Sequence, residues 1–552
     1  MKLNGMCPIC YIKKFFIKPK RINDINIADK YANNAALTPP MGWSSWNTFK
    51  NIIDQEVIYD TAVALKETGL LEAGYQYINI DDNWASSSRD ENGCLIGDKT
   101  RFSDGIPKLV EKINALGIKV GIYSSNGTLT CEDLPASLGN EVKDAEIIAS
   151  WGIEYFKYDF CHNQLVSTYA PLIYGITLSK TGEREEMFYP ITDAKLSGYA
   201  KLMKRKSSPI GVCLTGLDGN IGMAEYDIVV EKEGSYTFTV DICKKGAYKK
   251  HLHILINDKD TYKMDIPPQK RWNNTARFQT TVTLNKGTNT IKLFNPVRTK
   301  IDSAILQYRT MADAILNASF NIAKKNNTSV KPIVFSICEW GFRKPWLWGK
   351  TAGNLWRTTP DIRPIWPWIM TIYTRNVKLH KHAEIGAWND PDMLEVGNGK
   401  LTEAENKTHF SLWCMMNAPL ILGNDLRKMT PEILNIVTNK HMININQDPL
   451  GIQAKRLDSG FMDILAKPLA NGDIAVCFVN KFGRKKKASL AITPLKKDSY
   501  LNFSDAGDIV KVYDVWENKS YETSKLGVEV EKHGCKVLIL SKIIDDSYKQ
   551  EE

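Results

Sequence analysis

Carboxylates and aromatic rings recur along this chain in one setting, the end of a short apolar, β-rich run. Asp81 and Asp82 follow YQYINI, Asp159 follows YFKY, Glu339 and Trp340 close the run that begins at Pro332, and Asp390 with Asp392 follow Trp388. Any single acid in such a place is as often a helix N-cap or half of a buried ion pair. Several together, with Trp43, Trp84, Trp340 and Trp356, point to sugar chemistry. Glycoside hydrolysis needs two carboxyl groups, one to attack the sugar or activate water and one to protonate the leaving oxygen. Aromatic rings stack on the apolar face of a pyranose, and charged groups take its hydroxyls. Two cations fit the same picture. Lys157 lies two residues before Asp159, on the same side of a strand, where it would keep that carboxyl ionised. Arg357 and Asp361 stand at i and i+4, a spacing that in a helix would put guanidinium and carboxylate on one face.

The elements that must position these groups alternate strand and helix. Tyr75–Ile80, Lys119–Tyr123 and Tyr155–Tyr158 read as strands; Gln55–Leu71, Ile106–Leu116 and Glu141–Trp151 read as amphipathic helices closed near glycines. A strand, a polar residue at its carboxyl end, then a helix is the rhythm of a (β/α)8 TIM barrel, whose chemistry sits on that face. Residues 164–307 break the rhythm with alternating strands such as GSYTFTV and NTIKLF, which predict an inserted β-sandwich of jelly-roll type. Helices return over 308–451. The two flanking pieces, 37–163 and 308–451, total roughly 270 residues, close to the ~250 of one barrel. Residues 452–552 read as a second, C-terminal antiparallel β-sandwich, and 1–36 as a leader expected to be poorly ordered.

Composition narrows the class. Of 552 residues, 43% are apolar and 24% charged, the balance of a globular protein. No apolar run reaches the ~18 residues of a membrane-spanning helix. The net charge of +10 is a mild bias, with clusters at Lys13–Arg21 and Arg484–Lys487, and no phosphate loop, zinc-finger spacing or RNA motif accompanies it. Nucleic acid and membrane are therefore not expected partners. Eight histidines without H-x-H or H-E-x-x-H spacing, and a lone Cys7-x-x-Cys10, give little support to a metal, and no cofactor is expected. The leader lacks an apolar core and a small-residue cleavage site, which favours the cytoplasm over secretion.

The longer motifs then become recognisable. TPPMGWSSWNTF (38–49), NIDDNW (79–84), YSSNGTLTC (123–131), SWGIEYFKYDFC (150–161), CEWG (338–341), NLWRTTPDI (354–362), WNDPDML (388–394) and NINQDPLG (444–451) closely resemble the family 27 glycoside hydrolases. These are α-galactosidases (melibiases) and α-N-acetylgalactosaminidases. The resemblance covers both barrel pieces and the C-terminal segment in the right order. It implies an exo-acting, retaining enzyme that releases terminal α-linked D-galactose. By position it implies Asp159 as nucleophile and Asp361 as acid/base. Lys157 and Arg357 would bind substrate, Asp81 and Asp82 would grip the hydroxyls at C4 and C6, and Trp43 and Trp340 would wall the pocket. Cys338 would lie at the pocket edge. Cys131 and Cys161 match a disulfide pair beside the pocket, which suits an oxidising compartment better than the leader does. Glu339 occupies a position that is small in the galactosaminidase branch, and its bulk argues for a free 2-hydroxyl. Adjacent strand residues face opposite ways, so Asp81 and Asp82 can share one ligand only if their strand has already ended. β-L-Arabinopyranosidase or α-N-acetylgalactosaminidase activity on the same scaffold, and a non-catalytic sugar-binding protein, are the alternatives. On weaker motifs, EKEGSYTFTV and LNKGTNTIKLF, the insert resembles a family 35 or 6 carbohydrate-binding module, with Tyr262 or Trp272 as candidate stacking residues.

Overall fold

The computed structural model describes residues 29–244, 248–268 and 275–543. Cys7, Cys10, the Lys13–Arg21 cluster and Trp272 lie outside the described residues. Residues 29–36, assigned above to a poorly ordered leader, are packed instead. The Tyr31 N–H donates to Lys350 O at 2.8 Å, and the Asn33 amide to Ile333 O at 2.8 Å.

Eight short strands form one parallel sheet: β1 (Met41–Ser44), β2 (Tyr77–Ile80), β3 (Lys119–Ser125), β4 (Tyr155–Asp159), β5 (Val334–Ile337), β6 (Leu355–Arg357), β7 (Trp388–Asp390) and β8 (Leu420–Leu422). Their hydrogen-bonded order is 8-1-2-3-4-5-6-7. A parallel bridge from Leu394, just past β7, to Leu422 of β8 links the two ends, as a TIM barrel requires. Strands buried on both faces need near-continuous apolar sequence. β2 and β3 follow that rule, with every residue after the first buried. Helix Ile106–Asn114 shows the complementary period, burying Ile106, Leu109, Val110 and Ile113 on one face. Helix Gln55–Glu67 starts where Asp54 accepts the Val57 N–H at 2.8 Å.

By contact density the chain divides into two compact units, Asp29–Asn163 with the residues from Tyr308 onward, and Gln164–Gln307. The second unit holds two antiparallel sheets, of five and six strands, around a shared core that includes Ile176, Phe238, Val240, Leu252, Ile254 and Ile291. Cys213 and Cys243 form a disulfide within it, a pairing the sequence reading did not anticipate. The C-terminal segment contains a six-stranded antiparallel sheet and a two-stranded one about a core of Val476, Phe478, Leu495, Phe503 and Leu538. One strand of the smaller sheet, Lys486–Ala491, ends at Ala491. Helix Ile492–Lys497 follows, with Pro494 in its first turn, where a proline's missing N–H costs nothing.

Candidate active site

β4 delivers Lys157 and Asp159 to the carboxyl end of the barrel. Asp159 is 5% exposed; its Oδ1 accepts the Phe160 N–H at 2.9 Å and its Oδ2 the Tyr123 hydroxyl at 3.2 Å. Burial pushes its carboxyl up to about 6, against the pull of the Lys157 ammonium. Lys157 is partly enclosed, and that desolvation favours the neutral amine. Asp81, whose Oδ2 lies 2.8 Å from Nζ, acts together with Cys338 and Asp159 to outweigh that desolvation and hold the lysine protonated.

β2 ends at Ile80, so Asp81 and Asp82 lie beyond the strand and both line the same cavity as Asp159. Asn83 turns the chain with φ +73°. The Asp82 carboxylate accepts the N–H groups of Asn83 and Glu132, and burial raises it to about 6.

Arg357 ends β6, and Asp361 follows in irregular chain rather than on a helix. The pair meets nonetheless, with Arg357 Nη2 2.9 Å from Asp361 Oδ1 and 2.9 Å from Asp392 Oδ2. The guanidinium is 4% exposed and the Asp361 side chain 69%. Against the partial desolvation of the cavity mouth, the guanidinium holds the Asp361 carboxyl below the usual range. Asp392, fully enclosed, is pushed up by burial.

Trp340 lines the cavity together with Asp159 and Asp361, and so does Cys131 of the Cys131–Cys161 disulfide. Three expected site residues stand behind the wall instead. Trp43 is fully buried within β1, donating from Nε1 to Asn424 O at 2.7 Å, and the ring that reaches the cavity is Trp46, past the strand's end. Cys338 is buried behind Arg357, its Sγ 3.7 Å from Nη1. Glu339 is wholly enclosed; its carboxylate accepts the Arg343 N–H at 2.8 and 3.0 Å and faces the Arg343 guanidinium at 3.3 Å. It therefore does not wall off the sugar's C2 by direct contact. Tyr123, Trp46 and Met393 also line the cavity and were missed. Tyr123 lies in register with Lys157 of β4, which brings it to the same cavity. Asp392 was noted only as a strand-end acid.

Among the described residues one group has metal-ligand proximity, Cys131, Asp159 and Cys161, with ligand atoms within 4.8 Å of one another. Its sulfurs are bonded to each other and offer no thiolate. A larger depression, about 450 Å³, lies by His441, Gln447, Asp448, Leu469 and Asp473. It has no carboxylate–cation constellation like the one above, so the smaller, charged cavity is the active-site candidate.

A buried carboxylate beside a lysine, opposite an exposed carboxyl tethered to an arginine, is the equipment of a barrel glycoside hydrolase. The comparisons agree. The alpha galactosidase A family model matches residues 38–192 and 298–448, and the alpha galactosidase C-terminal beta sandwich domain matches 459–540. Alpha-galactosidase A of Cellvibrio japonicus is 32% identical over 523 residues, covering 92% of each chain. Alpha-galactosidase 2 of Arabidopsis thaliana is 31% identical over 514 residues, covering 92% of this chain and 91% of its own. The crystal structure of alpha-galactosidase I from Mortierella vinacea superposes with a TM-score of 0.63 at 25% identity, covering 92% of this chain and 98% of that one. The chain belongs to the alpha galactosidase A family of glycoside hydrolases.

Proposed function

We propose that the enzyme removes terminal α-linked D-galactose by double displacement, with Asp159 as nucleophile and Asp361 as acid/base. One observation carries this: the two carboxyls line one cavity, Asp159 deep beside Lys157 and Asp361 exposed at the mouth. Asp159 attacks the anomeric carbon while Asp361 protonates the leaving oxygen; Asp361 then takes a proton from the water that releases the sugar. Asp81 and Asp82 accept hydroxyls at C4 and C6, the groups that identify galactose. Lys157 shares its charge between Asp81 and the nucleophile.

With Asp159 raised to about 6 and Asp361 lowered, a single proton shared by the pair favours Asp159, the reverse of what attack needs. A pair sharing one proton reacts through the minor arrangement, and its pH range is that of the one-proton state. That state spans the interval between the lowered Asp361 and about pH 6. An acidic optimum follows.

The inserted segment is best read as a carbohydrate-binding module of jelly-roll type, between barrel pieces 37–163 and 308–451 and ahead of the C-terminal sandwich at 452–552. Two antiparallel sheets about one core support this, as does the failure of the family model to match residues 193–297. Tyr262 is a weak candidate for its ligand site, because it packs against the core and its hydroxyl accepts the Thr283 N–H.

The test is release of nitrophenol from p-nitrophenyl α-D-galactopyranoside, beside the β-L-arabinopyranoside and the α-N-acetylgalactosaminide, with Asp159→Ala as control. Turnover of the galactoside, lost in the variant, is expected. Preference for either other glycoside would overturn the galactose reading, and turnover of none would favour a sugar-binding protein.

A further inference from the structure

The loop after β5 carries an aromatic ring in an unusual place. Phe342 is 70% exposed, and its one ring neighbour among the described residues is Trp340, with centroids 6.2 Å apart and planes tilted by 57°. The backbone that holds the two rings is strained. Trp340 has φ +56°, Gly341 +78° and Lys344 +54°, so three of five consecutive residues are left-handed. For a tryptophan that conformation is an outlier and persists only where the surroundings impose it.

The surroundings are on both sides. Gly341 presses on the Thr358 carbonyl so closely that a Cβ would lie 2.2 Å from the oxygen, which ties the loop to the segment between Arg357 and Asp361. The buried Glu339 carboxylate closes the loop by accepting the Arg343 N–H on both oxygens. The Arg343 guanidinium lies 4.1 Å over the ring of Phe160, next to the nucleophile, and the Trp348 indole donates to Arg343 O at 3.1 Å. The loop is thus clamped to both reacting segments, yet its outermost side chain is left in water.

From this we infer that Trp340 and Phe342 form a stacking platform for a saccharide leaving group, held in place by Glu339. Resting on the galactosidase reading above, the inference extends that reading from the sugar that is kept to the one that departs. The leaving oxygen is protonated by Asp361, so the departing unit emerges on that carboxyl's side of the cavity. Trp340 lines the cavity there, and Phe342 continues its apolar surface outward. A pyranose presents a C–H face that such a surface fits. Glu339 touches no substrate in this scheme; it is a positioning residue for Trp340.

Two substrates separate leaving-group contact from everything else. Melibiose releases glucose, whereas α-D-galactosyl fluoride releases a single ion with nothing to stack. Phe342→Ala should lower kcat/KM on melibiose about 5- to 10-fold, the size of one aromatic contact, and leave the fluoride unchanged within about twofold. Phe342→Tyr should restore the melibiose value. Glu339→Gln should show the same selective loss, and adding Phe342→Ala to it should cost little more. Equal losses on both substrates would reduce Phe342 to a structural role, and no loss on either would remove the platform; each overturns the inference. A wild-type enzyme that hydrolyses neither substrate would sink the galactosidase reading, and the platform with it.

Discussion

Lys157–Asp81 in the barrel and Lys195–Asp227 in the inserted unit are ion pairs of nearly equal length, 2.8 and 2.6 Å. Their surroundings differ. The first pair's side chains are 21% and 4% exposed, the second's 71% and 43%. Water screens the surface pair, and such pairs contribute little to stability. Asp81 in the first pair, like Arg357 and Asp392 nearby, has little access to water that could solvate it instead. Losing one member strands a charge, and each member decides where the others' protons sit. Separation alone therefore does not rank these two ion pairs; enclosure does, together with the cavity that Lys157 and Asp81 line. The inserted unit has an apolar core and a disulfide, and the barrel gathers enclosed charges around one cavity.

The contrast can be broken most directly at Asp159. Asp159→Asn should reduce kcat by roughly 10⁴-fold or more, measured on the nitrophenyl galactoside, and a loss below tenfold would move the nucleophile elsewhere. Next is Arg357→Met, expected to cost about 10²-fold or more in kcat. It should also move the acidic limb of the pH profile upward, because the guanidinium favours ionised Asp361 and its removal lets that carboxyl rise. An unmoved limb would show that the pair is not coupled as described. A milder test leaves the chain intact. In wild-type enzyme, kcat/KM should fall above about pH 6, about tenfold per unit, as the pair's last proton leaves.

The inserted unit should respond oppositely. Cys213→Ser with Cys243→Ser opens a crosslink of sequence separation 30. That should destabilise the unit by about 3.5 kcal/mol on loop-entropy grounds, seen as an earlier calorimetric transition, with galactoside kcat unchanged. Smallest of all, Lys195→Ala should leave both melting and turnover where they were. A measurable shift in either would overturn the ranking by enclosure.

What was legible in the sequence follows the same division. The strand-end acids could be read because buried parallel strands are apolar without interruption, so a polar residue marks where each stops. The same logic, applied to MGWSSWNTF, separates its two tryptophans: Trp43 belongs to β1 and faces the core, while Trp46 lies beyond it and reaches the cavity. Glu339 could not be read this way. Its partner is the main chain of Arg343, and no side-chain pattern announces a backbone hydrogen bond. Nor could the pairing of Cys213 with Cys243, which depends on the strands that bring them together. The Arg357–Asp361 contact formed without the helix its spacing implied, because irregular chain after β6 turns back far enough for the two side chains to meet.

The interruption of the barrel has a consequence for the order in which the chain folds. Tyr155 of β4 pairs on one side with Gly121 and on the other with Val334. The second loop is roughly five times as long as the first, which adds about 1.5 kcal/mol of closure entropy. The folded insert removes that burden. The Gln307 side-chain amide donates to Gln164 O at 2.8 Å, and the Val166 N–H to Ser303 Oγ at 2.8 Å, so its two ends are already together. A nascent chain that completes the insert before β5 emerges meets β4 as though the strands were ordinary neighbours. The second half of the barrel then docks onto a loop that is already closed.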